Sequence, residues 1–300
     1  MSGIKEPLLN KLQPDFDILF DQHILPDLKK AEQIRKKIVL NYTIIGTVLF
    51  TGMLVEAVTW MSIAIVVIIL FVLVYTRWYG IPVSKFENAF IHAITYNTIK
   101  FISPDLHIDN SSHLKLSDLQ RANLITGVPD YFEGRNLIFG KVNGLDIRLS
   151  EISSTSKYIK ENGVEHTHEY FNGLVCIADN ETGIKDNLII CSDNELLKHF
   201  TAFNKNIALN KNDDELTIYC DDNSAADQFI SSQLLQSLKS YYQSTGKNII
   251  YSVHEKGICL AIMNPRRFTY FSPSIGRNAL NKKVAEVYFR DMRFLLETIR

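Results

Sequence analysis

The stretch Tyr131-Phe-Glu-Gly-Arg-Asn-Leu-Ile-Phe-Gly-Lys-Val-Asn-Gly-Leu-Asp-Ile-Arg-Leu-Ser-Glu-Ile152 decides how the folded part of this chain is read. An Asn-Gly pair between two apolar runs supplies the left-handed backbone that a tight hairpin turn demands. The spacing therefore predicts strands over Tyr131–Phe139 and Leu145–Ile152, joined around Asn143-Gly144.

Working outward, further strands are predicted over Tyr170–Ala178, Asn187–Ser192, Glu215–Cys220, Asn248–His254 and Gly257–Met263. The last two read as a second hairpin around Glu255-Lys256. Asn162-Gly163, Asn172-Gly173 and Gly276 read as turns. Three helical segments punctuate the strands. Ser117 is placed to cap a short helix through Leu124. Ser231–Tyr242 puts Leu234, Leu235, Leu238 and Tyr242 on one face. Ala279–Arg300 turns Leu280, Val284, Val287, Leu295 and Ile299 inward and leaves Lys282, Lys283, Glu286, Arg290, Arg293 and Glu297 wet. Strands in runs with few helices between them point to α+β with mostly antiparallel strands, not to a parallel α/β sheet.

The amino-terminal third has a different texture. Between Ile38 and Tyr75 the only charged residue is Glu56. As one helix this stretch would reach about 57 Å, nearly twice a hydrocarbon core of ~30 Å. Two spans, Ile38–Val55 and Ala57–Tyr75, fit the same core, with Glu56 in a turn at the far interface, where a carboxylate costs least. A buried helical hairpin in a soluble core is the plainer alternative, and the length of the spans argues against it. Trp60 lies by the turn, and Tyr42, Tyr75, Trp78 and Tyr79 lie at the opposite interface. Lys29, Lys30, Arg35, Lys36 and Lys37 precede the first span, and Arg77 and Lys85 follow the second. The connecting loop carries no cation, so the positive-inside rule places both termini in the cytoplasm. Thr43, Thr47 and Thr51 form one small polar stripe, suited to contact with the second span or with another subunit.

The flanks of the hairpin read as amphipathic helices. One covers Leu8–Arg35, with Leu8, Leu12, Phe16, Leu19, Phe20, Ile24, Leu28, Ala31 and Ile34 apolar and with Pro14 and Pro26 starting or kinking its segments. The other starts at Pro82 and carries Phe86, Phe90, Ile94 and Phe101. The two can pair as a stalk onto which the last helix packs. The expected organisation is a cytoplasmic helical segment over 1–37, a transmembrane hairpin over 38–78, a juxtamembrane helix over 79–103 and a cytoplasmic α+β domain over 104–300.

With 32 Lys and Arg against 33 Asp and Glu, no global field favours nucleic acid. The first 37 residues hold no apolar core of a signal peptide. Cys176, Cys191, Cys220 and Cys259 are widely spaced within apolar strands, as expected of small buried hydrophobes rather than zinc ligands or a disulfide framework.

The Tyr131–Ile152 stretch, Phe171-Asn-Gly-Leu-Val-Cys-Ile-Ala-Asp179, Ile218-Tyr-Cys-Asp-Asp222 leading into Ile230–Leu238, Tyr251–Ile262 and Phe271-Ser-Pro-Ser274 together resemble a bacterial family known as domain of unknown function 3137. The resemblance extends over nearly the whole chain, including the pair of membrane spans. It implies a membrane-tethered cytoplasmic domain in a bacterial inner or plasma membrane. It brings no activity, cofactor or catalytic residue.

His166 and His168 alternate with Thr167, so they share one side of a strand, while Glu165 and Glu169 point the other way. A metal would need a third ligand that no spacing marks, so solvated or satisfied histidines are the simpler reading. Asp213-Asp214-Glu215 and Asp221-Asp222 bracket a strand, where charge is ordinarily solvated. Pro265-Arg266-Arg267 reads as a solvated loop able to touch lipid phosphate. No phosphate-binding glycine loop, nucleophile elbow or zinc-protease helix is present in the sequence. The expectation is a membrane-anchored binding or scaffold domain with no catalytic, cofactor-binding or metal residue. Its partners would be the lipid bilayer and another membrane protein or a second copy. The alternatives are an enzyme built on His166 and His168, and a two-span subunit of a membrane assembly.

Overall fold

The computed structural model describes residues 8–56, 83–122, 124–125, 128–159, 165–179, 188–192, 208–212, 215–220, 232–254, 257–263 and 273–299. They form an α+β structure in two compact units. One comprises Met1–Pro14, Ile102–Tyr270 and Phe289–Arg300; the other comprises Asp15–Phe101 and Phe271–Tyr288.

Among the described residues the first unit is built on nine antiparallel strands. These are β1 (His107–Asp109), β2 (Tyr131–Val142), β3 (Leu145–Ile159), β4 (Glu165–Ala178), β5 (Leu188–Cys191), β6 (Ala208–Asn212), β7 (Thr217–Cys220), β8 (Ile249–His254) and β9 (Gly257–Met263). Their order across the sheet is β1-β2-β3-β4-β9-β8-β5-β7-β6. The turn at Asn143-Gly144 forms as its residues require. Val142 faces Leu145, and the two central φ angles are +53° and +89°, the paired left-handed positions of a type I′ turn. The second hairpin is also present, with His254 opposite Gly257; Glu255 and Lys256 lie outside the described residues.

The central strands β5, β8 and β9 are buried at every position, which is why they read as unbroken apolar runs rather than alternating ones. One face carries Phe171, Val175, Ile177, Ile189, Ile250, Cys259 and Ala261, and it packs with Leu114, Leu119, Leu124 and Ile125. Helix α4 (Leu116–Arg121) is held over this face by three polar ties. Ser150 Oγ accepts the Leu114 amide at 3.0 Å, Arg148 reaches Asp118 at 3.0 Å, and Ser252 Oγ donates to the Ala122 carbonyl at 3.4 Å. The predicted cap at Ser117 is corrected here. Lys115 occupies the cap position, and the Asp118 carboxylate accepts the Lys115 amide at 3.0 Å, so Ser117 lies inside the helix.

Helix α5 (Ser232–Thr245) also belongs to this unit. Its buried residues are Leu238 and Tyr241; Leu234, Leu235 and Tyr242 are half-buried, so the inward stripe is rotated from the predicted one. Gly246, at φ +62°, ends it by donating its amide to the Tyr242 carbonyl at 2.7 Å. Helix α6 (Lys282–Thr298) begins in the second unit and ends in the first. Its buried set is Ala285, Tyr288, Phe289, Asp291, Met292, Phe294, Leu295 and Leu296, with Ile299 just beyond; Val284 and Val287 are only half-buried. Asn172-Gly173, read as a turn, lies inside β4. A Cβ at Gly173 would fall on the Ile262 carbonyl oxygen of β9, so glycine is required there by close strand approach and not by reversal.

The second unit takes up α1 (Leu8–Leu19) from Asp15 onward; α1 leads through a π-helical turn at Phe20–Ile24 into α2 (Leu25–Glu56), and α3 covers 83–102. Pro14 is accommodated inside α1, and Pro26 follows directly on the π-helical turn. Phe16, Leu19, Phe20, Ile24, Leu28 and Ala31 are buried, as are Phe86, Phe90, Ala93, Ile94 and Ile99, while Phe101 is exposed. The backbone of the first predicted span is helical within α2; the second, Ala57–Tyr75, lies outside the described residues. Among the described residues no helix is long and apolar enough to cross a membrane.

Candidate functional site

Three polar constellations stand out among the described residues. The most deeply buried is centred on Asp291 of α6, at 0% exposure. Its Oδ1 accepts the Tyr241 hydroxyl at 2.7 Å and Arg290 Nε at 3.3 Å, and its Oδ2 pairs with Lys247 Nζ. Phe294, one turn further along α6, stacks on the Tyr241 ring at 3.8 Å between centroids. Burial and the neighbouring Asp291 carboxylate push the Tyr241 phenol well above its ordinary range. Burial draws the Lys247 ammonium down, and Asp291 pulls it back. A phenol held protonated against a carboxylate neutralised by a cation is a structural tie between α5, the Lys247 turn and α6, not a poised acid or base.

The second constellation sits where β2 is bulged between Arg135 and Ile138. Asn136 takes φ +56°, a left-handed position that asparagine tolerates. The bulge turns two donors onto one buried carboxylate. Arg135 Nε reaches Glu151 at 2.9 Å, and Asn136 Nδ2 reaches it at 3.3 Å. Arg135 Nη2 is buried without a hydrogen bond. No spacing in the sequence marked this pair, because the bulge, not a motif, brings them together.

His166 and His168 lie two residues apart on β4, in register with Tyr158 and Ser156 of β3. Glu215 accepts Gln243 Nε2 at 2.6 and 2.8 Å, while Asp213, Asp214, Asp221, Asp222 and Pro265-Arg266-Arg267 lie outside the described residues. No group of three or more His, Cys, Asp and Glu able to hold a metal occurs among the described residues. The four cysteines are free and buried. Burial raises the thiol of Cys176 and pushes that of Cys259 up to about 12, which removes them as nucleophiles.

The third constellation belongs to the second unit. Glu32 is buried and chelated by Arg35, with Nη2 at 2.6 Å and Nε at 2.8 Å. Glu32 also accepts the Ala279 amide at 2.9 Å, and Arg35 Nη1 donates to the Ile275 carbonyl at 2.7 Å. Lys282 reaches Asp17 at 2.7 Å, so the 271–288 segment is tied to α1 and α2 at three points. This supports the expected docking of the start of the last helix on the flanking helices. The rest of α2 presents a different surface. Lys29, Lys36, Leu40 and Ile44, separated by seven, four and four residues, fall on one stripe at 3.6 residues per turn. All four are exposed, Leu40 by 59% and Ile44 by 52%, and Phe50 on the flank is exposed by 66%. The stripe passes from basic to apolar toward the carboxyl end of α2. Thr43 and Thr47 lie within it and donate their hydroxyls to the carbonyls of Val39 and Thr43, at 3.0 and 2.8 Å, so each bonds back to its own helix.

Residues 169–300 match the family described as protein of unknown function (DUF3137). The resemblance read from the sequence is shown over that stretch, and the Tyr131–Ile152 hairpin and the amino-terminal helices precede it. The crystal structure of the mycobacterial trehalose monomycolate transport factor A, TtfA, is similar at 11% identity and a TM-score of 0.35, covering 65% of this chain and 89% of that one. No curated protein matches the chain.

Proposed function

We propose that this chain is a membrane-anchored domain that works by binding, with α2 continuing into the bilayer and the nine-stranded sheet on the cytoplasmic side. One observation carries the reading: the apolar end of the α2 stripe. Leu40, Ile44 and Phe50 are each more than half exposed, although burying one such side chain is worth about 1.5–3 kcal/mol. The sequence beyond Phe50 continues to Tyr75 with Glu56 as its only charge. Hydrocarbon is the solvent that such a surface suits. Scaffolding rather than catalysis fits the buried charges of the sheet unit, where Asp291 and Glu151 are committed to partners that hold elements together.

Extraction of membranes with alkaline carbonate tests the anchor. The full chain should remain in the pellet, and a reporter fused after Arg300 should be active inside the cell. Release into the supernatant, or a reporter active only outside, would overturn the reading.

A further inference from the structure

The basic end of the α2 stripe lies directly ahead of its apolar end. Residues 29–37 contain Lys29, Lys30, Arg35, Lys36 and Lys37 against the single acid Glu32. The structure divides these cations into two groups. Arg35 is spent on buried Glu32, and Lys30 pairs with Asp27 at 2.7 Å. Lys29, Lys36 and Lys37 are exposed and have no ion pair among the described residues. Lys36 lies four residues before Leu40, about 6 Å along the helix axis. The polar headgroup layer is about 5–8 Å thick on each side of the hydrocarbon, so a helix entering at Leu40 carries Lys36 and Lys37 at headgroup depth. Their flexible stems let the ammonium groups rise or sink to meet phosphate. Lys29 stands about 10 Å further out, near the limit of electrostatic reach at physiological salt.

Resting on the membrane anchoring proposed above, we infer that Lys36 and Lys37, with Lys29 behind them, form a band that binds the phosphates of anionic lipid headgroups and selects them over zwitterionic ones. A zwitterionic headgroup carries its own cation beside the phosphate and gains less from an ammonium partner. An anionic headgroup supplies a counter-charge for lysines that form no ion pair among the described residues.

The test is native mass spectrometry of the full chain released from micelles holding equal phosphatidylglycerol and phosphatidylcholine. The wild type should retain phosphatidylglycerol in clear excess. K36Q/K37Q should lower that preference roughly 25-fold at low salt, at about fivefold per lysine. K29Q should lower it less, and the charge-matched K115Q/K141Q in the sheet unit should leave it unchanged. A wild-type ratio near one, a preference untouched by K36Q/K37Q, or an equal fall in K115Q/K141Q would each overturn the lipid band. A wild type that survives carbonate extraction yet shows no lipid preference loses this inference alone, whereas release by carbonate removes the anchor and the band together.

Discussion

A carboxylate with no exposed surface survives burial only when cations and hydroxyls converge on it, and Asp291 has Lys247, Tyr241 and Arg290. Removing its charge takes away the carboxylate that Lys247 pairs with in a buried site. Asp291→Asn should therefore cost about 3–5 kcal/mol. The double variant Asp291→Asn with Lys247→Met, which removes the cation as well, should recover a large part of that loss. Urea denaturation at constant slope measures both, and a single variant within about 1 kcal/mol of wild type would show that the pair is not holding α6. The sequence hid this residue for a physical reason. Asp291 follows Arg290 on a helix whose charged residues mostly point to water, and no periodicity distinguishes a buried carboxylate from a solvated one. Asn172-Gly173 misled in the opposite sense. Its composition suits a turn, but glycine is equally needed where two backbones approach within a sheet, and only the Ile262 carbonyl of the neighbouring strand separates the two uses.

At the scale of elements, legibility followed burial. Strands β5, β8 and β9 are apolar throughout because both of their faces are covered, and the sequence placed each to within one residue at either end. Strands β1 and β6, at the two edges of the sheet, left no signal. His107-Ile-Asp109 and Ala208–Asn212 are short and polar and pair on one side only, which is how edges resist further pairing and also how they escape notice. The tie of α2 to the 271–288 segment was equally invisible, since it depends on Glu32 meeting the Ala279 amide 247 residues away and on Arg35 meeting the Ile275 carbonyl 240 residues away. Its hydrogen bond from Arg35 holds the Glu32 carboxyl below its ordinary value of 4.5. A depressed carboxyl contributes stability that is fully present above pH 4.5 and is lost as the pH falls through its folded value. Glu32→Gln should cost about 2 kcal/mol at neutral pH, the scale of hydrogen bonds to a charged group. In hydrogen exchange the wild type should lose protection over residues 15–35 as the pH falls below 4.5, and the variant should flatten that loss. An unchanged acid profile in the variant would sink the assignment.

At the scale of the whole molecule, α6 begins in one unit and ends in the other, and its halves answer to different neighbours. The sequence read it as one amphipathic stripe packed on the membrane-flanking helices. That held for its beginning, where Ala279 and Lys282 meet Glu32 and Asp17. Leu295 falls in the unit that holds the sheet together with the first residues of α1, next to Phe294 stacked on Tyr241. A single helical period cannot show that the partner changes midway, since the stripe is apolar against either one. The consequence is specific. Leu295→Asp places an unpaired carboxylate at a position with 0% exposure and removes a buried aliphatic side chain. The combined cost is on the order of 5 kcal/mol, comparable with the whole stability of a domain. The sheet unit should therefore unfold or lose most of its protection, rather than the flanking helices merely loosening. Hydrogen exchange of the full chain should show fast exchange across residues 249–263 in Leu295→Asp. Lys283→Asp, on the exposed start of the same helix, should leave those strands protected. Protected strands in Leu295→Asp, with exchange rising only over residues 15–35, would return Leu295 to the flanking helices and refute the division of α6 drawn here.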